Sequence, residues 1–536
     1  MARRLPVFRL GQPEVTTPQV IDLAARVFDA TDFTLEELGS RLVLRSGSRV
    51  VEVDRASGGV WAADQAQLWN PDLRPELPGD EDAAGIAGRF VESGELLPRF
   101  AQDAPFRLRQ GRTGATFVAL GDGSEREDRR LDVQVRYGVE VDLTGRWQGV
   151  EGALPIVGGG GRFHLTLGDG GRPIAYSGVW RQVQGVALEA EVIPQEEADA
   201  SFRELTASLR LERYESQLAY YSAPSFVAQE FLYPVYVYRA VARFDDTRVP
   251  LRVVTLPATR FGPAVKFPEP QPPRLLAKPA RVFQAPPGKR RGYASLIASF
   301  EAGTSWIGTS GGLPGSQNNA QGFVDGLAAD GWSVNFNWGD ANAWESDWRR
   351  NDDDWVDAAD FVFYTGHADQ NGWVLSQPDD GSLIFSETGS APGSPGDLWG
   401  RQDLEWMVIA ACGPLQDELL ASGGGDVLSR WDGAFDGLHV LMGYGAVTFD
   451  NQDEGRKLVE YARQGQPLID AWFRTAREIQ PSTNGFPAPD GPTVWVGAMY
   501  VIAPGADPRN DHLWGHGSVS ADPTSPSTLV CMWTTC

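Results

Sequence analysis

Phe361-Val362-Phe363-Tyr364-Thr365-Gly366-His367 and Trp406-Met407-Val408-Ile409-Ala410-Ala411-Cys412-Gly413 decide the reading of this chain. Each is a short apolar run without a polar face, the pattern of a strand buried on both sides in a parallel sheet. Each ends in a chemically competent side chain beside small residues. Ligands of open α/β sheets sit beyond the carboxyl ends of the strands, so neighbouring strands are expected to bring His367 and Cys412 side by side there. A thiol is only a few per cent ionised at neutral pH, and a cysteine used for attack needs a base within reach. Histidine, with an ordinary pKa of about 6.5, can take the thiol proton and return it to a leaving amine. Cys412 is therefore expected to be a reactive thiol whose pKa is lowered by His367. Gly366 and Gly413 let backbone approach a reacting carbonyl, and the amides of Ala368 and Cys412 are candidates for an oxyanion hole. Taken singly, a strand-end Cys is a buried small hydrophobe and Gly-His is a turn; their shared position at the ends of consecutive strands is what points to chemistry.

The surroundings alternate between strand and helix. Tyr293 to Phe300 reads as a first strand, followed by a Gly-rich loop through Gly315. Ala320, Phe323, Val324, Leu327 and Ala328 have helical spacing, and Trp332 to Trp338 reads as a second strand. Such alternation implies a mainly parallel sheet flanked by helices. Between the two candidate residues, Trp373-Val374-Leu375 and Leu383-Ile384-Phe385 flank Pro378-Asp379-Asp380-Gly381, a hairpin expected to overhang the cleft.

The order strand, Gly-His, hairpin, strand, Ala-Cys resembles the caspase and gingipain-like cysteine peptidases, in which the dyad histidine follows one strand and the dyad cysteine the next. Gly437-Leu438-His439-Val440-Leu441-Met442-Gly443 is similar to the strand after the cysteine, and Gly465-Gln466-Pro467-Leu468-Ile469-Asp470-Ala471-Trp472 to the helix that follows in bacterial members. The resemblance covers about residues 290 to 505. It implies an α/β caspase-like domain that hydrolyses peptide bonds through a Cys412 thioester with His367 as base. The family's usual His-Gly reads His367-Ala368 here, which supports the alternative of an inactive relative that binds a partner through the same cleft; in a third reading, a structural or surface-display protein, both residues are packing elements. Bacterial relatives that cleave after Arg or Lys need a carboxylate in the specificity pocket, and Asp369, Asp379 and Asp380 are the candidates for it. Lys289-Arg290-Arg291 then becomes a candidate self-cleavage site.

With 536 residues, 42% apolar residues and 18 Trp, the chain has material for several packed domains. A formal charge of −24 argues against nucleic acid and anionic membranes as partners. The expected partner is a peptide or protein substrate. Three cysteines are too few for a disulfide framework, and the basic N-terminus lacks an apolar run of signal-peptide length, so the cytoplasm is the expected compartment.

Residues 1–125 read as an α+β module. A helix begins at Thr17-Pro18, and β-rich runs follow at Leu42-Val43-Leu44, Val50–Val53 and Gly59–Trp61; the pattern resembles a PepSY-type module. Residues 126–261 read as a second β-rich α+β module, with a strand pair around Gly138, a hairpin at Phe163–Tyr176, a helix from Ala198 and a strand at Phe231–Tyr238. Residues 262–290 hold a run of eight prolines and read as a linker, which allows the N-terminal region to dock on residues 291–505 and restrain them. Residues 506–536 read as an irregular tail. Asp511, His512 and His516 have zinc-like spacing, but Gly515 and Gly517 weaken that helix; no metal and no cofactor is expected.

Overall fold

The computed structural model describes residues 3–29, 32–121, 125–145, 147, 152–244, 247–260, 300–349, 351–376, 399–484, 491–523 and 528–536. Its centre is a nine-stranded sheet. Five strands are parallel, in the order Ser333–Gly339, Glu301–Trp306, Phe361–Thr365, Trp406–Ala410 and Val440–Tyr444. Their side chains alternate between two cores. Phe361, Phe363, Trp406, Val408, Val440 and Met442 meet the helices Ser316–Ala328, Glu454–Ala462 and Leu468–Ile479. Val362, Tyr364, Met407, Ile409 and Leu441 face the other way, towards Trp348, Trp373, Trp399 and Trp431. Burial on both faces is why Phe361–Thr365, Trp406–Ala410 and Val440–Tyr444 read as apolar runs.

The expectation of a caspase-like, mainly parallel sheet flanked by helices is corrected here. After Val440–Tyr444 the sheet continues antiparallel through Trp495–Ile502, Thr528–Thr535, Thr116–Gly121 and Arg126–Arg130. The longer helices cover one face, and tryptophan-rich loops cover the other. A second sheet of fifteen strands is almost wholly antiparallel; among its paired strands only Ala153–Val157 and Arg210–Tyr221 run parallel. The molecule is therefore β-rich, with mixed sheets dominated by antiparallel pairs.

The two halves of the chain share the nine-stranded sheet. The hairpin Thr116–Gly121 and Arg126–Arg130, which spans the division expected at residue 125, pairs with Thr528–Thr535. That last strand lies in the segment read as an irregular tail, and Leu529–Thr535 is buried throughout. Cys531 within that strand and Cys536 just after it are free and buried.

Smaller differences have local causes. The first helix, Thr17–Phe28, is capped by Thr16 in a reciprocal box with Gln19, one residue before the expected cap. Val133–Asp142 is one strand rather than a pair around Gly138, because Gly138 pairs in register with both Arg162 and Arg109. The first strand of the parallel set begins at Glu301; residues 293–299 of the strand expected before it lie outside the described residues, as do the linker, Lys289-Arg290-Arg291, Leu383–Phe385, Asp379 and Asp380. Among the described residues, no helix is long and apolar enough to cross a membrane.

Candidate functional site

Phe361–Thr365 and Trp406–Ala410 are adjacent and parallel, with Thr365 opposite Ala410. His367 and Cys412 each lie two residues past that last pair, in the loops at the carboxyl end of the sheet. Gly413 follows at φ +78°, a conformation that favours glycine, and a Cβ there would meet the Gln416 side chain and the Asp369 backbone. Gly366 is equally constrained, since a Cβ would fall 2.2 Å from the Tyr364 hydroxyl oxygen.

The electrostatics differ from the expectation. His367 is 1% exposed. Its Nε2 lies 2.7 Å from the Gly311 carbonyl, which can only accept, so Nε2 carries the proton. Its Nδ1 accepts the Arg252 amide at 3.2 Å. Both ring nitrogens are thus engaged, and burial, aided by the Arg252 charge against the Gly311 bond, lowers the imidazole pKa to about 4. Cys412 is wholly buried. Its Sγ accepts the Thr448 amide at 3.4 Å and lies 3.8 Å from the Thr448 hydroxyl. Burial raises the thiol above its ordinary value despite the Arg252 charge. The expectation of a thiol lowered by His367 is corrected: desolvation outweighs every favourable charge, and His367 spends its nitrogens elsewhere.

Arg252 organises this end of the sheet. Its Nη1 donates to the Thr365 hydroxyl at 3.0 Å and the Ala410 carbonyl at 2.8 Å, tying the histidine strand to the cysteine strand. Its Nη2 donates to the Phe449 carbonyl at 2.7 Å and to Glu454 at 3.2 Å. Both members of that ion pair are 0% exposed. Glu454 also accepts from Tyr444 at 2.5 Å, Gln480 at 2.8 Å and Asn319 at 3.0 Å, so the buried carboxylate is saturated with donors.

The main chain around Arg252 lies along the loop that holds Cys412. Val253 donates to the Thr448 carbonyl and accepts from Asp450, each at 2.8 Å, forming a parallel bridge to Phe449. Leu251 donates to Ala240 of the antiparallel sheet. A short extended segment of the N-terminal half therefore covers both His367 and Thr448. A cavity of about 330 Å³ opens beside it, lined by Tyr221, Tyr233, Phe231, Phe449, Asp450 and Gln480 among others.

Of the other candidates, Ala368 and Asp369 form a two-residue ribbon with Gly372–Trp373. The Asp369 carboxylate accepts the Asn371 amide at 2.7 Å, and burial raises it to about 6. The Gly413 amide donates to the Ala446 carbonyl at 3.1 Å. Asp511, His512 and His516 do not converge: Asp511 meets His439, His512 meets the Ser518 carbonyl and His516 meets Asp330. Sequence reasoning missed Arg252, Thr448 and Glu454. The one available signal was an arginine inside the apolar run Pro250-Leu251-Arg252-Val253-Val254.

Residues 297–535 match the model of a family described as "Domain of unknown function (DUF6345)". The match includes His367, Cys412, Thr448 and Glu454; Arg252 and the Thr116–Arg130 hairpin lie outside it. No curated protein matches the sequence. Among solved structures, an uncharacterized protein from Eubacterium rectale ATCC 33656 shares 9% identity over 48% of this chain and 84% of that chain. Its TM-score of 0.27 is too low to assign a shared fold.

Proposed function

We propose that this chain is a cysteine peptidase of the Cys412–His367 dyad type, held closed by its own Leu251–Val253 segment. The observation that carries the reading is that both residues follow adjacent parallel strands at the same end of the sheet, with an extended segment bonded to His367 and to Thr448, the residue that donates to the Cys412 thiol. In this closed arrangement the dyad is idle. Once the Arg252 amide leaves Nδ1, a rotated His367 gains a free nitrogen, and access of water returns its pKa towards the ordinary value. The thiolate would attack the substrate carbonyl, and His367 would return the proton to the leaving amine. The N-terminal region then acts through one strap rather than as a removable module, since its hairpin is also part of the sheet.

A peptide or protein is the substrate on this reading. The net charge of −24 and three free thiols favour a reducing compartment, the cytoplasm, away from nucleic acid and anionic membranes.

The engaged nitrogens of His367 support a second reading, in which the pair is a packing element and the chain binds a partner or serves a structural role. Val253→Pro separates the two, because it removes the bond to Thr448 and spares the Arg252–Glu454 pair. A peptide library should be hydrolysed faster by Val253→Pro than by wild type, and not at all by Val253→Pro combined with Cys412→Ala. A folded Val253→Pro protein without Cys412-dependent hydrolysis would leave the second reading standing.

A further inference from the structure

The amino ends of the same strands carry a different constellation. Ala302 pairs with Phe361 and Phe361 with Trp406, so the residues just before those positions, Glu301, Asp360 and Glu405, stand level on three consecutive strands. Asp403 enters from the loop leading to the third strand. Oxygens of Glu301, Asp360 and Asp403 lie within 4.8 Å of one another. Glu301 and Asp360 are buried and Asp403 is half-buried. Like charges this close repel by several kcal/mol unless a proton or a cation lies among them.

A second, independent observation concerns Glu405. Its Oε2 atom is sealed from solvent and has no hydrogen-bond partner. Asp360, Asp403 and Asp522, all carboxylates, are near enough to bear on Glu405. An enclosed acceptor left unfilled against other acceptors is a costly arrangement that a cation relieves.

We propose that Glu301, Asp360, Asp403 and Glu405 form a binding site for a hard divalent cation, calcium or magnesium. The donor set is all carboxylate oxygen, which suits these ions and not zinc or copper, whose sites favour imidazole and thiolate. His439 lies close but is committed to Asp511 at 2.6 Å through Nδ1, and its Nε2 faces Asp522 at 3.5 Å. The half-buried Asp403 leaves a route for entry and for water ligands. Because the site joins the starts of three parallel strands, cation binding would stabilise the sheet that also carries His367 and Cys412, without depending on any activity there.

The test uses the full chain, stripped with a chelator and desalted. Terbium, a luminescent stand-in for calcium, is titrated in with excitation of tryptophan, since Trp406 follows Glu405 directly. Sensitised terbium emission should appear and should be displaced by calcium or magnesium, the more effective ion identifying the natural class. The melting temperature should rise with concentration of that ion and not with zinc. Asp403→Asn and Glu405→Gln should each weaken binding by roughly tenfold or more. Equal affinity in wild type and both variants would overturn the proposal. So would wild-type protein that shows no sensitised emission, no thermal shift and no metal retained after dialysis, and the carboxyls would then be sharing protons. The measurements on wild type decide the matter even if a variant fails to fold.

Discussion

The two ends of the parallel strands solve opposite electrostatic problems. At the carboxyl end a buried guanidinium meets a buried carboxylate, and each is surrounded by partners: Arg252 donates to Thr365, Ala410, Phe449 and Glu454, and Glu454 accepts from Tyr444, Gln480 and Asn319 as well. At the amino end three carboxyls lie within 4.8 Å of one another, and one oxygen of neighbouring Glu405 has no partner. At the first end opposite charges are paired, although Arg252 Nε has no partner, and the two chemically competent residues are buried beside that pair. At the second, like charges meet and one carboxylate oxygen is left without a partner. A closed end is opened by moving protein, whereas an open end is closed by adding an ion.

The sharpest way to break this contrast is to make the same substitution at each end. Glu454→Gln should destabilise the protein by about 3–5 kcal/mol, because Arg252 stays buried without its counter-charge and the amide turns a donor towards other donors. Urea denaturation at neutral pH measures this. A loss under about 1 kcal/mol would mean that the carboxyl end is held by packing alone.

The next largest effect concerns His367. Its folded pKa of about 4 lies below the unfolded value of about 6.5. As pH falls, the unfolded chain takes up the proton first, so stability is lost between about pH 6.5 and pH 4 and is fully present above that window. His367→Gln should abolish this share. Between pH 7 and pH 4 the variant should lose about 3 kcal/mol less than wild type, and parallel curves would show an ordinary, solvated imidazole.

The smallest effect carries the opposite sign. In chelator, Glu405→Gln should leave stability unchanged or raise it by roughly 1–2 kcal/mol, as an amide donor replaces an acceptor crowded by acceptors. Destabilisation in chelator would show that Glu405 has a role in the metal-free protein that its surroundings do not reveal. Parallel measurement with Glu454→Gln makes the sign difference the readout.

These contrasts explain what was legible in the sequence. Phe361–Thr365 and Trp406–Ala410 were readable because burial on both faces leaves no polar position to confuse the pattern. The position of His367 and Cys412 followed from strand order. Strand direction did not: Leu529-Val530-Cys531-Met532-Trp533 is as apolar as the parallel runs, yet it pairs antiparallel with Met499 and with Ala119, a partner far away in the chain. Its Pro, Ser and Thr-rich approach made it read as a tail. The ionisation of the site was hidden for a similar reason. Arg252 reaches Thr365, Ala410 and Glu454 only after the two halves interlock, and a lone arginine in an apolar run carries no sign of its counter-charge. Asp360 and Glu405 were present in the sequence, one acid before each apolar run, but their row with Glu301 gained meaning only from the register.

The central claim is that Leu251–Val253 closes the Cys412–His367 pair, and residue-resolved alkylation of the native thiols tests it most directly. A small thiol reagent, with modification at each cysteine followed by mass spectrometry, should modify Cys412 in wild type as slowly as Cys531 and Cys536, all three being buried. In Val253→Pro the Cys412 rate alone should rise, by roughly tenfold for the loss of a backbone bond worth about 1.4 kcal/mol. Rapid labelling of Cys412 in wild type, or three equal rates in the folded variant, would contradict the account.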